Sequence, residues 1–568
     1  MNKNLKILTC IAILFITAFS LRFYKVASAP SGILVDEASF GYNVYSLLKT
    51  GKDEHGIKTL LTFKANGDQK LPIYVYTVIP FVKLFGLNNL SVRLPSVIAG
   101  SFMGIFLFLL LLELGFKIKL SFVGSLIAVT SPWSIILSRF GYESNVALMC
   151  FIAGLFFSFF AYCKQSIFLA VFGGLCLGAT WYSYIAYRFV TFFILIILIA
   201  LHTIKQKRIS RMGFILTISF IIAVSPFFLT LFSQTGTVRL RQTGFITNMG
   251  MVMDINENRA FCSTRVPKII CDLNSNKLIS YIRIYLNRYV TALSPNYFFL
   301  NGDTEFIYLN VNNYGLFYAV LIPFYLAGLL SLGIRLITHK TTKIDLFLLA
   351  GLIFSPLPSV LAGDPQKIRL FPLFPFIILV LVYGVHFLYD LIKSKLYQKI
   401  YYGLIIVGIV VFTLFFMVNL LAVHINKHEI AYGTYIPKLM LYLNRQDKNT
   451  EIYIRSITEA IIYYSFINKT DPAIYQKKVI RTKPDNIGFA WPISLENINI
   501  ANEDIYKTYC RVIENKENAL YVTNEDFRSA LGKAQKIIWS ENNVDTLAFV
   551  YDLNSLDKSK IDCTRLQK

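Results

Sequence analysis

Asp36 and Glu37 stand side by side in Val35-Asp36-Glu37-Ala38, shortly after an apolar run that ends at Leu21. A carboxylate this near hydrocarbon is costly unless it is hydrated or paired, so such placement often marks function. Acids also favour the N-terminal dipole of a helix, and capping of a helix that starts near Ala38 is the other reading. Farther along come Asp68-Gln-Lys70-Leu-Pro72-Ile-Tyr74, Arg93-Leu-Pro95-Ser and Ser138-Arg139-Phe-Gly-Tyr142-Glu143-Ser-Asn145. Tyr182-Ser-Tyr184-Ile-Ala-Tyr187-Arg188 and Gly363-Asp364-Pro365-Gln-Lys367-Ile-Arg369 complete the set. Any one Arg or Tyr of this kind could be an interfacial anchor. Together they offer carboxylates able to accept a proton and cations able to hold a phosphate, Arg through two parallel bonds and Lys as a point charge.

The elements that must carry these residues are membrane helices. The 568 residues are 55% hydrophobic and only 16% charged, against about 25% charged in soluble domains, and the mean hydropathy is +0.53. A span needs about 20 mostly apolar residues. That criterion predicts about eleven transmembrane helices, near 5–24, 90–113, 119–137, 145–163, 167–183, 187–203, 213–232, 316–337, 345–363, 367–390 and 400–423. The break between the fifth and sixth, Trp181 to Arg188, is thin. Lys3 and Lys6 ahead of the first run, with Ala27-Ser28-Ala29 after it, resemble a signal peptide, but the run is long for one and a retained helix is expected.

With the N-terminus inside, every inner turn is basic: Lys117 and Lys119; Lys164; Lys205, Lys207, Arg208 and Arg211; Arg335, Lys340 and Lys343; Lys393, Lys395 and Lys399. This positive-inside pattern would be destroyed by a miscount of one helix. It also accounts for the net charge of +23, together with contacts to anionic lipid. With no compact basic module of a known type, nucleic acid is not an expected partner. The chain is thus expected to be a multi-pass protein of the cytoplasmic membrane, with a transmembrane domain over 1–429 and outer loops at 25–89 and 233–315. Residues 430–568 then form a small extracytoplasmic α/β domain, with strands at Glu451–Arg455, Ala519–Thr523 and Thr546–Tyr551 and a helix at Thr458–Phe466. Cys262, Cys271, Cys510 and Cys563 fall in outer segments, where an oxidising compartment would give two disulfides and a reducing one free thiols. No Cys/His spacing indicates a metal site.

Asp36-Glu37 after the first span, Lys70-Leu-Pro72, Arg93-Leu-Pro95 and the Arg139/Glu143 turn resemble the GT-C glycosyltransferases, nearest the protein O-mannosyltransferase and aminoarabinose transferase branch. Ser294–Asp303, Tyr182–Arg188, Tyr463-Tyr-Ser-Phe and Asp471-Pro472 are similar to segments of prokaryotic members. The resemblance implies a sugar donor on a polyprenyl phosphate and inverting transfer to an acceptor on the outer face, whether glycan, protein or lipid; members differ on the help of a divalent metal. The chemistry is consistent: a phosphate leaving group needs cations rather than a proton donor, so one general base suffices, at about 10²–10⁴-fold. A retaining hydrolase would instead need two carboxyls about 5–5.5 Å apart. Asp36 is then the expected base, supported by Glu37. Lys70, Arg139 and Arg369 are candidates for the donor phosphate, and Glu143, Arg93, Tyr184 and Arg188 for supporting roles. The amphipathic Pro72–Phe85 stretch is a candidate wall for the prenyl chain. A lipid-linked sugar flippase or an envelope polysaccharide ligase is the alternative. A transporter would place its site near the midplane within repeated halves, and no such symmetry is evident.

Overall fold

The computed structural model describes residues 2–58, 61–203, 210–231, 249–274, 276–303, 305–311, 314–485, 489–541, 543, 545–556, 561 and 563. Among these, eight helices are long and apolar enough to cross a membrane: Lys3–Phe23, Asn89–Glu113, Glu143–Lys164, Arg211–Phe228, Ala319–Ile337, Lys343–Ala362, Phe371–Leu391 and Lys395–Lys427. The third expected span is two helices, Ile118–Thr130 and Pro132–Arg139, meeting at 50°. Pro132 supplies no N–H and pushes Ser131 to extended backbone, with φ −61° and ψ 140°, which breaks the ladder there. The fifth and sixth expected spans are present as shorter apolar helices, Ile167–Tyr182 and Ala186–Leu201. The chain is a polytopic α-helical membrane protein with a sheet-containing C-terminal domain. The basic residues Lys205, Lys207 and Arg208 and the first part of the large loop lie outside the described residues.

Packing divides the chain into two compact units. The first comprises 1–22, 96–138 and 143–417 and holds most of the apolar helices. The second gathers three separated pieces: 23–95, 139–142 and 418–568. The expected boundary at 430 follows hydropathy; the packing of the second unit instead draws the first loop and the turn after Arg139 in with the tail.

Two sheets belong to the second unit. One is a hairpin of β1 (Phe63–Ala65) and β2 (Asp68–Lys70), paired Phe63 to Lys70 and Ala65 to Asp68. Its turn, Asn66-Gly67, takes φ +47° and +90°, the left-handed pair that lets a two-residue turn follow the twist of its strands. The other sheet has β3 (Glu451–Ile454), β4 (Ile480–Arg481), β5 (Pro492–Leu495), β6 (Ile498–Ile500), β7 (Ala519–Thr523), β8 (Lys536–Trp539) and β9 (Thr546–Asp552) in the order β4-β5-β6-β3-β7-β9-β8. The central β3 runs parallel to β6 and β7, and the outer pairs are antiparallel. Every residue of β7 is buried, as a strand covered on both faces requires. The helices Ala460–Asn468 and Pro472–Lys478 follow β3, and the second is started by Asp471, whose carboxylate accepts the Ala473 N–H at 2.9 Å ahead of Pro72's counterpart at this helix, Pro472. The helix Ile505–Asn515 is started likewise by Asp504.

Candidate active site

The helix Val35–Thr50 begins at the acid pair, so Asp36 and Glu37 both occupy its first turn. Successive residues of a helix point about 100° apart, and here the two carboxylates meet opposite fates. Glu37 is 1% exposed and accepts four hydrogen bonds. Arg93 Nε donates to Oε1 at 2.8 Å and Arg93 Nη2 to Oε2 at 2.9 Å. The Gly141 N–H donates to Oε1 at 2.8 Å, and the Leu34 N–H to Oε2 at 3.0 Å. Four donors fill the lone-pair sites of a carboxylate, and the Leu34 bond makes Glu37 the cap of its own helix.

Arg93 is equally committed. Besides Glu37 it donates through Nη1 to the carbonyls of Val26 at 2.8 Å and Pro30 at 2.9 Å, and through Nη2 to that of Gly32 at 2.7 Å. All five guanidinium donors are thereby placed. Arg139, 2% exposed, ties down the same segment, donating to the carbonyls of Tyr24 at 2.8 Å and Ala29 at 2.9 Å. The two arginines hold the chain from 24 to 32, which leads into the Asp36 helix. Gly141 completes the arrangement: a Cβ there would meet Val92 Cγ1 at 3.1 Å and Glu37 Cγ and Tyr74 Oη at 3.2 Å.

Asp36 is the reverse case, with a side chain 41% exposed. Lys70 Nζ donates to its Oδ1 at 2.5 Å and lies 3.7 Å from Asp68 Oδ2. Lys70 ends β2, and Pro72 starts the next helix, Pro72–Phe85, at its first turn, where a missing N–H costs nothing. The Lys-x-Pro spacing thus fixes where the strand stops and presents the ammonium to Asp36. Below it lies the Phe40 ring, 5.5 Å from Nζ, which packs on Tyr74 at 4.8 Å. Tyr74 in turn donates to the Val92 carbonyl at 2.8 Å. Tyr463, from the tail, is buried in the same unit; burial first, then Glu459 and Asp36, push its phenol well above the usual range.

The other expected site residues belong to the first unit. Arg369 is half-buried on the turn after Gly363, and among the described residues its guanidinium has no hydrogen-bond or ion-pair partner. Its turn is held by the Ser294–Asp303 segment: Tyr297 donates to the Pro365 carbonyl at 3.1 Å, and Asp303 Oδ2 accepts the Lys367 N–H at 2.9 Å. The Lys367 ammonium is buried and donates to the Leu309 carbonyl. Burial pulls it down to about 8, with Asp303 opposing. Glu143 starts the helix Glu143–Lys164. Arg188 donates to the Trp181 carbonyl at 3.0 Å and lies 4.2 Å from the Phe227 ring centre, and Tyr184 packs on Tyr187 at 6.5 Å. Cys262 is bonded to Cys271 and Cys510 to Cys563. Among the described residues no group of three or more His, Cys, Asp or Glu side chains is placed to hold a metal ion.

Three participants were not singled out from sequence: the Gly141 N–H, Glu54 and Asn43. Glu54 accepts the Asn66 N–H at 2.5 Å and the Asn43 side-chain N–H at 3.1 Å. The dipeptide Asn66-Gly67 is the sequence signal that could have marked the hairpin they hold.

No protein-family model matches the chain, and no curated protein matches it in sequence. Solved structures do match in fold. ArnT from Cupriavidus metallidurans in the apo state aligns with a TM-score of 0.51 at 10% identity, covering 96% of this chain and 97% of that one. The same protein bound to undecaprenyl phosphate gives 0.49 at 9% identity, covering 97% and 98%. The apo oligosaccharyltransferase of Archaeoglobus fulgidus gives 0.47 at 11%, covering 93% and 70%. By its likeness to apo ArnT, nearly end to end on both chains, this chain shares that protein's fold.

Proposed function

We propose that the chain is an inverting glycosyltransferase that moves a sugar from a polyprenyl-phosphate donor to an acceptor hydroxyl or amine on the outer face of the cytoplasmic membrane. The observation that carries this reading is the Asp36–Lys70 pair: a half-exposed carboxylate held by a lysine beside a neighbouring carboxylate that is fully spent on structure. A partly exposed carboxylate suits general-base catalysis with a phosphate leaving group. The GT-C fold supports the same class, and so does the chemistry of supply: nucleotide sugars are cytoplasmic, and lipid can deliver a sugar to the outer side.

In this mechanism Asp36 accepts the proton of the acceptor hydroxyl or amine as that atom attacks the anomeric carbon. The bond to the donor phosphate breaks, and the polyprenyl phosphate leaves with the electron pair. Lys70 orients Asp36 and brings a positive charge to the place where the phosphate leaves. Glu37, Arg93 and Arg139 act as positioning residues. The bilayer and the lipid-linked donor are the partners this requires.

The test uses membranes containing the protein, a labelled polyprenyl-phosphate sugar and a crude envelope fraction as acceptor. Wild type should move label from the donor, and Asp36→Asn at equal abundance should lose about 10²–10⁴-fold of that rate. Undiminished transfer by Asp36→Asn removes Asp36 as the base. Translocation of the labelled lipid with no sugar released would replace the enzyme with a flippase.

A further inference from the structure

Two acids, Asp345 and Asp390, stand among the basic turns at one end of the first unit, where the charge pattern does not call for them. Between the end of Ala319–Ile337, the start of Lys343–Ala362, the end of Phe371–Leu391 and the turn 114–116 lies a cavity of about 240 Å³. Ser331, Arg335, Thr342, Tyr383, His386 and Asp390 line its polar side, and Phe116 and Phe387 give it an apolar wall. Asp345 lies behind it, 0% exposed, and is spent on structure. Its Oδ2 accepts the Thr342 N–H at 2.7 Å and the Thr342 hydroxyl at 2.8 Å, and its Oδ1 accepts the Tyr383 hydroxyl at 2.7 Å. Arg335 Nη1 stands 3.6 Å from Asp345 Oδ1, too far for a hydrogen bond, and the guanidinium lies 5.0 Å from the centre of the Tyr383 ring. Carboxylate and ring hold the guanidinium in place, yet among the described residues none of its N–H groups has a hydrogen-bond acceptor. Asp390 is 61% exposed, with His386 Nδ1 at 3.2 Å. Tyr383, His386 and Asp390 are three and four residues apart and so share one helix face.

We propose that this cavity binds a phosphate that carries a primary ammonium a few bonds away, as in the head group of a phosphatidylethanolamine-class lipid. Arg335 takes the phosphate: its planar fork matches phosphate oxygens, and its donors are unspent. Asp390 takes the ammonium, and its charge repels a head group that is only anionic. The volume is below the about 300–1,000 Å³ of pockets that hold a drug-sized molecule, so it suits a head group rather than a whole lipid-linked sugar. Leu336, Ile337 and Leu391, adjacent in sequence to Arg335 and Asp390, are exposed and offer apolar surface to the acyl chains. Basic pockets between spans are where membrane proteins hold lipid head groups. The leaflet is the one on the side of the basic turns, which the proposed orientation makes the cytoplasmic leaflet. The site belongs to the first unit and the Asp36–Lys70 pair to the second, and its occupancy does not depend on sugar transfer.

The test uses the full-length protein in detergent micelles containing one lipid at a time, with retained lipid measured by native mass spectrometry. Wild type should hold phosphatidylethanolamine in preference to phosphatidylglycerol, which lacks the ammonium. It should also prefer it to phosphatidylcholine, whose trimethylated nitrogen has no N–H to give Asp390. Arg335→Lys, which keeps a charge beside Asp345, should weaken phosphatidylethanolamine binding about tenfold. Asp390→Asn, at an exposed carboxylate that does not put folding at risk, should weaken it about tenfold as well and level it with phosphatidylglycerol. Lys340→Ala, an exposed cation of the same basic turn, should change nothing. Equal retention of the three lipids by wild type, a preference that survives both substitutions, or an equal loss in Lys340→Ala overturns the inference. Soluble O-phosphoethanolamine separates the two sources of this chemistry. Failure to displace the lipid upholds the head group as occupant, and displacement at matched concentration upholds the site with a free zwitterion in it.

Discussion

Two adjacent carboxylates of the same helix turn do different work because one faces the protein and the other faces out. Glu37 and Arg93 are 1% and 0% exposed, and a buried ion pair is far costlier to break than to make. Glu37→Ala or Arg93→Ala strands the partner's charge and should cost about 3–5 kcal/mol, read as loss of resistance to proteolysis and a lower unfolding temperature. The double substitution should cost less than the sum of the two. Asp36→Asn should leave stability nearly unchanged and remove activity. That split between neighbouring residues is the sharpest check on the assignment, and a result in which both variants behave alike would count against it. Lys70→Ala, which frees Asp36 of its partner, should lower transfer more than Lys70→Arg, since an arginine keeps the charge but not the point-like head. Steady-state rates on the labelled donor decide the order.

At the scale of elements, the centre is a matter of starts and stops. Pro72 sets the first turn of one helix and thereby the last residue of β2, while Glu37 caps the start of another. The turn Arg139–Tyr142 contributes backbone as well as the Arg139 side chain: the Gly141 N–H serves Glu37, and the close approach would press a Cβ against Val92, Glu37 and Tyr74. Gly141→Ala should cost about 1–3 kcal/mol through overpacking, measured by thermal unfolding, and should slow transfer by displacing Glu37. The Asp53–Glu54 turn adds a pH dependence of stability. The folded value of Glu54, about 8, lies above the unfolded value of about 4.3. Its contribution is therefore fully present below about pH 4.3 and is lost as pH rises through about 8. The second unit should unfold at a lower temperature as pH climbs through that window, and Glu54→Gln should flatten the trend. Much of this was legible in sequence: Asp36, Lys70 and Pro72 were all marked by type and spacing. The partner of Glu37 was not, because Arg93 is 56 residues away and reads as one more interfacial arginine until its five donors are counted.

For the whole molecule, the separation of the Cys510–Cys563 pair, 53 residues, closes a loop worth about 4 kcal/mol in the chain-entropy account. Cys510→Ser with Cys563→Ser should lower the unfolding temperature of the tail and leave the membrane helices in place, as followed by circular dichroism. The proposed orientation is checked by a membrane-impermeant thiol reagent on intact cells, which should label Asn515→Cys in the tail and not Thr341→Cys in the basic turn. Hydropathy alone determined that the chain is a helical membrane protein, and short runs of β-branched and aromatic residues placed β3, β7 and β9 of the tail, because burial in lipid or in a sheet is written in local composition. One shortfall in span count has a local cause too: a helix breaks at Pro132, while Ile167–Tyr182 and Ala186–Leu201 are parted by no more than Ser183–Ile185. Which residues share a site is a different kind of fact. Residues 23–95, 139–142 and 418–568 form one unit through contacts between positions tens to hundreds of residues apart. Only that packing decided that Glu37 and Arg93 are buried and satisfied while Asp36 stays open, since exposure belongs to the assembled surface and not to any stretch of chain.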